Sequence, residues 1–255
     1  MIHYPTGPQR ANLGCGLKGI APMIHILFPL AALHRAMAGN LQRRERLLEV
    51  LQRRGDVSDE AVIAALEAVP REAFLPADLH AHAYDDTPLP IGQGQTISAP
   101  HMVAIMAQAL QVGQGQRVLE IGGGCGYHAA VLAHLVGPHG HIWSVERLPG
   151  LAAQARANLS ALGLDQRVTV VVADGSLGYP EQAPYDRISV ACAAPAVPPA
   201  LLEQLSQEGI LLVPTGTGVQ RLLRVRRKGA QTTTEDLGGC VFVPLVGRQG
   251  FGSKG

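Results

Sequence analysis

The feature that most constrains the fold of this chain is a short apolar run that ends in a glycine-rich turn, R-V-L-E-I-G-G-G-C-G-Y, over residues 117–127. Val118, Leu119 and Ile121 favour a strand buried in a parallel sheet, because such strands are apolar on both faces. The glycines that follow let the backbone turn tightly and approach a ligand. Residues 129–135 then predict a helix. A strand, a glycine turn and a helix in this order are typical of a nucleotide site at the carboxyl end of a strand.

Strands and helices alternate after this turn, which predicts an α/β fold with a doubly wound, Rossmann-like sheet that is mostly parallel. The predicted strands are residues 117–121, 141–145, 167–172, 186–191 and 209–213, and the predicted helices are residues 127–136, 150–162 and 198–206. Two further runs, residues 220–226 and 240–245, have no helix between them. We expect these runs to form antiparallel strands at one edge of the sheet.

The region before the sheet predicts an N-terminal helical cap followed by a long loop. Residues 41–51 are amphipathic, and Ser58 is placed to cap a second helix over residues 59–68. A third helix is expected over residues 102–110. Between residues 76 and 100 the prolines and glycines leave no helical period, which indicates a long ordered loop of the kind that usually has a function.

These elements predict a single domain over residues 41–255, preceded by an extension of residues 1–40. Within the domain, residues 41–113 form the helical cap and substrate loop, and residues 114–246 form the Rossmann-like core. The extension contains an apolar stretch that is broken by prolines and is too short to span a bilayer, which needs about 20 apolar residues. It is either poorly ordered or signal-like, with Ala36-Met37-Ala38 resembling a cleavage site. A start codon placed too early is a further alternative.

Composition narrows the classes of partner and compartment. The net charge of +1 gives no reason to expect a nucleic acid or a membrane as partner. The four cysteines are scattered without a C-x-x-C pair, which argues against a zinc site or a disulfide framework and favours a reducing compartment. We therefore expect a cytoplasmic monomer without a metal. A working signal peptide in residues 1–38 would make the protein periplasmic instead.

The spacing of the glycines argues against a dinucleotide. The NAD fingerprint is G-x-G-x-x-G/A, whereas Gly122, Gly124 and Gly126 give G-x-G-x-G and Tyr127 stands at the last fingerprint position. The spacing fits a ligand without a pyrophosphate, such as S-adenosyl-L-methionine. Glu120, beside the turn, is placed to accept hydrogen bonds from the methionine end of such a ligand; the alternative is that it caps a helix or lies in solvent.

Two acidic residues after the next strands support a nucleoside. Glu146 follows the glycines by about 20 positions at the end of a predicted strand, where an acid can bind both ribose hydroxyls of NAD or of S-adenosyl-L-methionine. Asp174 and Gly175 follow the third strand. We expect Asp174 to meet the adenine amino group and Gly175 to let the backbone come close, although an Asp-Gly pair by itself is more often only a turn.

At this point the chain resembles the protein-L-isoaspartate O-methyltransferase family of S-adenosyl-L-methionine-dependent enzymes. The most specific segment is P-L-P-I-G-Q-G-Q-T-I-S over residues 88–98, followed by Pro100-His101-Met102. The glycine turn, residues 174–175 with 183–188, and residues 242–245 match less specific parts of the family pattern. The chain departs from that pattern at Gly123, where threonine is common, and at Cys125, where serine is common.

The resemblance implies methyl transfer from S-adenosyl-L-methionine to the free α-carboxylate of L-isoaspartyl residues in damaged proteins and peptides. It assigns Ser98 to the active site, Gln95, Thr96 and Ile97 to the substrate loop, and His101 to a cofactor contact. A carboxylate has a pKa near 4 and is already an anion at neutral pH, so no general base is required. A methyltransferase of this fold with a small-molecule substrate, or a non-catalytic cofactor-binding relative, remains an alternative.

Overall fold

The computed structural model describes residues 27–252. The chain divides into two units, Met1–Gly39 and Asn40–Gly255, and the second unit contains the sheet. Helix α1 spans Leu27–Arg54, so the helix predicted over residues 41–51 is present but begins earlier. The predictions for residues 1–26, which include most of the signal-like segment, lie outside the described residues. No helix in the described range has both the length and the apolar character that crossing a membrane requires.

The cap continues with α2, Glu60–Ala68, whose first turn corrects one prediction. The capping side chain is that of Asp59, which accepts hydrogen bonds from the backbone N–H groups of Ala61 and Val62. The Ser58 backbone N–H instead donates to Gln108 Oε1 at 2.7 Å, on α3. Serine and aspartate are both favourable N-cap residues, but Ser58 contacts Gln108, so the helix begins one residue later and is capped by Asp59.

The long loop predicted over residues 76–100 is wrong in its secondary structure. A short 3₁₀ helix, Ala77–His82, is followed by a β-hairpin of β1, Leu89–Gly92, and β2, Gln95–Ile97. The two strands pair antiparallel and form a small sheet of their own. Leu89 and Ile97 lie opposite each other and are both buried, which explains why so short a hairpin is held in place.

Seven strands form the main sheet, and helices cover it. The elements are α3 Pro100–Leu110, β3 Arg117–Ile121, α4 Tyr127–Val136, β4 His141–Glu146, α5 Pro149–Ala161, β5 Val168–Val172, β6 Tyr185–Val190, α6 Pro199–Glu203, β7 Leu205–Thr215, β8 Gln220–Lys228 and β9 Gln231–Cys240. The strand order is β5-β4-β3-β6-β7-β8-β9. The first five strands in this order are parallel, and β8 and β9 are antiparallel, as the pattern predicts.

Two predicted boundaries at the far end of the sheet are wrong. The last strand is Gln231–Cys240 and not residues 240–245, because β9 is a solvent-exposed edge strand that carries no apolar alternation. The apolar segment after it instead lies against the loop that follows β6, where the Leu245 N–H donates to the Ala193 carbonyl at 2.7 Å. Helix α6 is also shorter than residues 198–206, because β7 already begins at Leu205.

The strand order places a crevice between β3 and β6. The chain leaves β3 toward β4 and β5 on one side, and leaves β6 toward β7 on the other, so the loops after these two neighbouring strands diverge. In open α/β sheets, ligands bind at such a switch point, outside the carboxyl ends of the strands. Along β3, Val118 packs into the apolar cluster on one face, and Leu119 and Ile121 pack into the cluster on the other.

Candidate active site

The glycine turn after β3 forms the floor of the crevice. Gly122, Gly124 and Gly126 have φ of +83°, +55° and +89°, a region that favours glycine. The backbone N–H of Gly122 donates to the Val145 carbonyl at 2.8 Å, which ties the turn to the end of β4. A Cβ added to Gly124 would lie 3.3 Å from Ile91 Cδ1 of the hairpin. The turn is therefore tight, and the hairpin packs directly over it.

A groove runs between the hairpin and the turn. One part of the groove is lined by Thr96, Ile97 and Ser98 together with Gly122–Cys125. A second part shares Thr96 and Gly122 with the first and continues past Glu146 and Gly175. Gln95 also borders this second part. The segment that the sequence singles out as a substrate loop is thus brought onto the glycine turn, although the two are far apart in the chain.

Glu146 lies at the end of β4 and lines this groove. It is 6% exposed. Its Oε2 accepts from the Gly124 N–H at 3.0 Å and its Oε1 accepts from the Leu148 N–H at 2.8 Å. A carboxylate has about four acceptor sites, so two bonds to the backbone leave capacity for ligand hydroxyls.

Glu120 occupies a different place from the one expected. It is fully buried behind the turn, where Oε2 accepts from the Ser144 hydroxyl at 2.5 Å and Oε1 lies 3.1 Å from His128 Nδ1. A Cβ on Gly123 would come within 2.2 Å of Ser144 Oγ. Glu120 therefore lies neither in solvent nor at a helix cap, and its contacts are made with protein groups, of which His128 lines the groove.

Gly175 borders the groove, whereas the preceding Asp174 is not among the residues that line it. The Asp174 carboxylate accepts from the Ser176 hydroxyl at 2.7 Å and from the Arg248 N–H at 2.8 Å. Burial acts to raise the pKa of Asp174, but the hydrogen bonds from Arg248 and Ser176 outweigh it and hold the pKa below its usual value. Gly175 lines the groove, and a Cβ there would lie 2.6 Å from Ile121 Cγ2. Close packing against β3 is thus sufficient to require glycine at this position.

Ser98 lies where the groove opens into an outer cavity. This cavity is lined by Ser98 and His101 on one side and by residues 239–243 on the other. His101 Nδ1 lies 2.8 Å from Asp86 Oδ1, and the same oxygen accepts from the His101 backbone N–H at 2.9 Å. His101 is therefore brought together with Ser98 in the outer cavity and is held there by Asp86.

Asp86 in turn is a fixed anion. Its Oδ2 accepts from Arg54 at 2.9 Å, from the end of α1. Burial favours a higher pKa for Asp86, but the hydrogen bonds from His101 and Arg54 outweigh it and hold the pKa below its usual value. The network joins the end of α1, the segment that leads into the hairpin, and the start of α3 at the edge of the outer cavity.

Several residues of the groove are not predicted from the sequence. They are Ala191 and Cys192 after β6, residues 243–246, and His128, which contacts Glu120. Ser144, which also contacts Glu120, is fully buried behind the groove and is likewise not predicted. The switch-point rule applied to the predicted strand order would have found Ala191, since it directly follows the strand beside β3. Burial raises the pKa of the Cys125 thiol to about 11, so this residue is a neutral packing group within the turn.

The arrangement suits a nucleoside that carries a small polar tail. The glycine floor admits close approach, Glu146 offers acceptors, and the groove opens beside Ser98. Within residues 39–252, no three His, Cys, Asp or Glu side chains gather in a way that could hold a metal ion.

Comparisons with known proteins agree with this geometry. Residues 42–250 match the family model described as protein-L-isoaspartate(D-aspartate) O-methyltransferase. The protein-L-isoaspartate O-methyltransferase of Methanothrix thermoacetophila is 54% identical over 209 residues, which cover 82% of this chain and 97% of that protein. The enzyme of the same name from Methanothermobacter thermautotrophicus is 48% identical over 214 residues, covering 83% of this chain and 98% of that protein.

Solved structures show the same similarity. A protein-L-isoaspartate O-methyltransferase superposes with a TM-score of 0.73 at 31% identity, covering 81% of this chain and 67% of that one. A candidate enzyme of the same kind from Plasmodium falciparum, in complex with S-adenosyl-L-homocysteine, superposes with a TM-score of 0.70 at 26% identity, covering 80% of this chain and 98% of that one.

Proposed function

The chain belongs to the protein-L-isoaspartate(D-aspartate) O-methyltransferase family, and from this premise we propose that it methylates L-isoaspartyl residues in damaged proteins and peptides. S-adenosyl-L-methionine supplies the methyl group, which passes to the free α-carboxylate. The methyl ester is a better leaving group than the carboxylate, so a succinimide re-forms without further catalysis. Hydrolysis of the succinimide then returns part of the chain to normal aspartate.

The observation that carries this proposal is the position of the hairpin over the glycine turn. Ser98 lies at the junction between the groove that contains Glu146 and the outer cavity that contains His101. A ligand in the groove and a peptide in the outer cavity would therefore meet at Ser98. This is the geometry that methyl transfer between two bound molecules requires.

The groove residues fit the cofactor on their own geometry. Glu146 would hold the ribose hydroxyls, and Gly122, Gly124 and Gly126 would let the backbone approach the methionine end. Gly175 would border the adenine, with Asp174 holding that loop in place through Arg248. Glu120 would act on the cofactor through His128, which it contacts.

The chemistry asks the protein to align groups and to exclude water. An ionised carboxylate is nucleophilic without a base, so the task is to hold its oxygen in line with the methyl group. The Ser98 hydroxyl would donate to this carboxylate and position it, while Gln95, Thr96 and Ile97 keep the hairpin closed over the site. His101, fixed by Asp86, would contact the cofactor or the peptide from the outer cavity.

The test is a methyl-transfer assay with paired peptides that differ only in Asp against isoAsp. We expect labelling of the isoAsp peptide alone. Ser98→Ala should lower kcat/KM by about 10- to 100-fold, the cost of one hydrogen bond to a charged group, whereas Ser160→Ala on the exposed face of α5 should not change it. Equal labelling of both peptides, or methylation of small molecules only, would replace the proposal with a methyltransferase of other specificity.

We further propose that residues 41–255 form the methyltransferase domain and that the enzyme acts as a cytoplasmic monomer without nucleic acid. Three cysteines, Cys125, Cys192 and Cys240, are free and buried, which suits a reducing compartment. Light scattering on the purified protein tests the monomer, and N-terminal sequencing of the native protein tests whether residues 1–38 are retained.

A further inference from the structure

Arg71 is a buried cation without an acceptor. It begins the 3₁₀ helix Arg71–Phe74 after Pro70, and it is 0% exposed. Within the described part of the chain, none of its three guanidinium nitrogens makes a hydrogen bond. The guanidinium carries five N–H donors and stays charged in proteins. Buried charges in proteins are otherwise paired, so this one requires a partner.

The polar side chains around the Arg71 guanidinium are those of another arginine and two tyrosines. A small cavity beside it is lined by Arg44, Tyr84 and Tyr127, and leucines of α1 and α2 complete its wall. No aspartate or glutamate lines this cavity. Arg71 and Arg44 thus both line one small volume, and no described carboxylate residue lines it.

The neighbouring polar groups do not supply the missing acceptor. The Tyr84 oxygen accepts from the Arg71 backbone N–H at 3.3 Å and donates its proton to Glu72 at 2.5 Å. The Glu72 carboxylate thereby accepts from Tyr84, and Glu72 does not line the cavity. The Tyr127 ring lies 5.2 Å from the Arg71 guanidinium carbon, but an aromatic face attracts the charge without offering lone pairs to the N–H groups in the guanidinium plane.

We propose that this cavity is a binding site for a single small inorganic anion of the chloride class, held by the Arg71 guanidinium. Arg44 adds a second positive charge at the cavity wall. The cavity is about as small as a single water molecule requires, which excludes sulfate, phosphate and nucleotides, and a halide would fit after a small outward shift of its walls. The leucine wall requires an anion that gives up its hydration readily, and chloride and bromide do so far more easily than fluoride.

The site lies next to the catalytic groove without being part of it. Tyr127 forms one wall of the anion cavity, and the same residue lines the groove at the first position of α4, directly after the glycine turn. The anion would therefore neutralise the charge beneath the helix that carries the turn. Its role is to stabilise the folded protein, and Tyr127 is the one described residue that lines both this cavity and the groove.

The first experiment is thermal unfolding of the full-length protein in sodium chloride, bromide and fluoride at constant ionic strength. An anion that binds only the folded state at 100 times its Kd raises the folded-to-unfolded ratio about 100-fold. We expect the unfolding midpoint to rise with chloride and bromide and not with fluoride. Arg71→Met, which keeps the volume and removes the charge, should lose this dependence. Arg53→Met, an exposed residue of the same helical cap, should keep it.

A second measurement does not depend on a variant that folds. In crystals of the wild-type protein soaked in bromide, anomalous scattering should place one bromide beside Arg71 and between the two tyrosines. Equal effects of fluoride and chloride on the midpoint, a halide effect that survives in Arg71→Met, or a water molecule in place of bromide would overturn the proposal.

Discussion

At the scale of single residues, the glycine turn depends on a hydroxyl from the neighbouring strand. Glu120 and Ser144 are paired in the register of β3 and β4, and the Ser144 hydroxyl donates to Glu120 while filling the space above Gly123. A side chain at position 123 would meet this hydroxyl, since a Cβ there would come within 2.2 Å of Ser144 Oγ. The sequence could not predict this contact, because it does not contain the register between two parallel strands.

The packing predicts a non-additive pair of substitutions. Gly123→Ala should lower the free energy of unfolding by about 1–3 kcal/mol, because its methyl group would collide with Ser144 Oγ. Ser144→Ala alone also destabilises, since Glu120 loses a donor. In the double variant, the free energy of unfolding should fall by less than the sum of the two single effects, and urea unfolding measures all three values. Gly113→Ala, whose new Cβ would have no neighbour closer than 3.7 Å, is the control; simple additivity would contradict the contact.

Asp174 predicts a pH dependence of stability. Its folded pKa lies below its reference value of 3.8, so the stabilisation is complete above that value and is lost as the pH falls through the folded pKa. Asp174→Asn should therefore be less stable than wild type at pH 7, by under about 1 kcal/mol because the carboxyl is partly solvated. This difference in the free energy of unfolding between wild type and Asp174→Asn should become smaller below about pH 4. Urea unfolding between about pH 3 and pH 7 measures this difference, and Asp165→Asn, at an exposed position, is the control. A difference that does not change with pH would show that Asp174 does not have a lowered pKa in the folded state.

At the scale of secondary structure, the strand–turn–helix unit is the part that the sequence predicts best. Residues 117–121 form a strand and residues 127–136 form a helix, with the predicted limits. The apolar runs indicate the two elements, and the glycines between them mark where the strand ends and the helix begins. The hairpin is missed because β1 and β2 have four and three residues, too few for alternation to be recognised. Strand β9 is missed because its polar residues lie at an exposed edge, where no burial pattern marks a strand.

Because Ile91 holds the hairpin of β1 and β2 against the glycine turn, we expect its truncation to loosen the hairpin without affecting the main sheet. Ile91 is 3% exposed and packs against Gly124. Ile91→Ala should lower the opening free energy of the hairpin by about 2–5 kcal/mol, so amide exchange in β1 and β2 should accelerate roughly 30-fold or more. Exchange in β3 should stay unchanged, and affinity for S-adenosyl-L-homocysteine should fall. Ile63→Ala in α2, the same substitution at a partly buried position away from the hairpin, is the control. An equal loss of protection in β3 would mean that the hairpin does not open on its own.

At the scale of the whole molecule, the fold class could be predicted because the alternation of strands and helices leaves few topologies. The site could be predicted only in part. The glycine turn and Glu146 could be predicted from the spacing of residues along the chain. The wall formed by residues 243–246 could not, because this segment returns to the end of β6 after three intervening strands. No local pattern in the sequence specifies such a return.

The division of the chain predicts the outcome of removing its first unit. Among residues 39–252, whose burial is described, the first buried apolar residue is Leu48, and the described residues that line the groove all follow Leu89. A chain that starts at Met37 should therefore keep kcat/KM within about twofold, and its unfolding midpoint should match that of the full-length protein. Loss of either property would show that residues 1–36 contribute to the folded enzyme.

The groove is built from the hairpin near residue 91, the turn at 122–126, the strand ends at 146 and 191, and the segment at 243–246. Its last wall is synthesised nearly 120 residues after the turn that it faces. A nascent chain still lacking that segment would have Ser98 and the glycine turn, but the groove would be open on one side. We expect a copy that stops before residue 243 to bind the methyl donor more weakly than a copy that contains residues 243–246, because one wall of the groove would be absent.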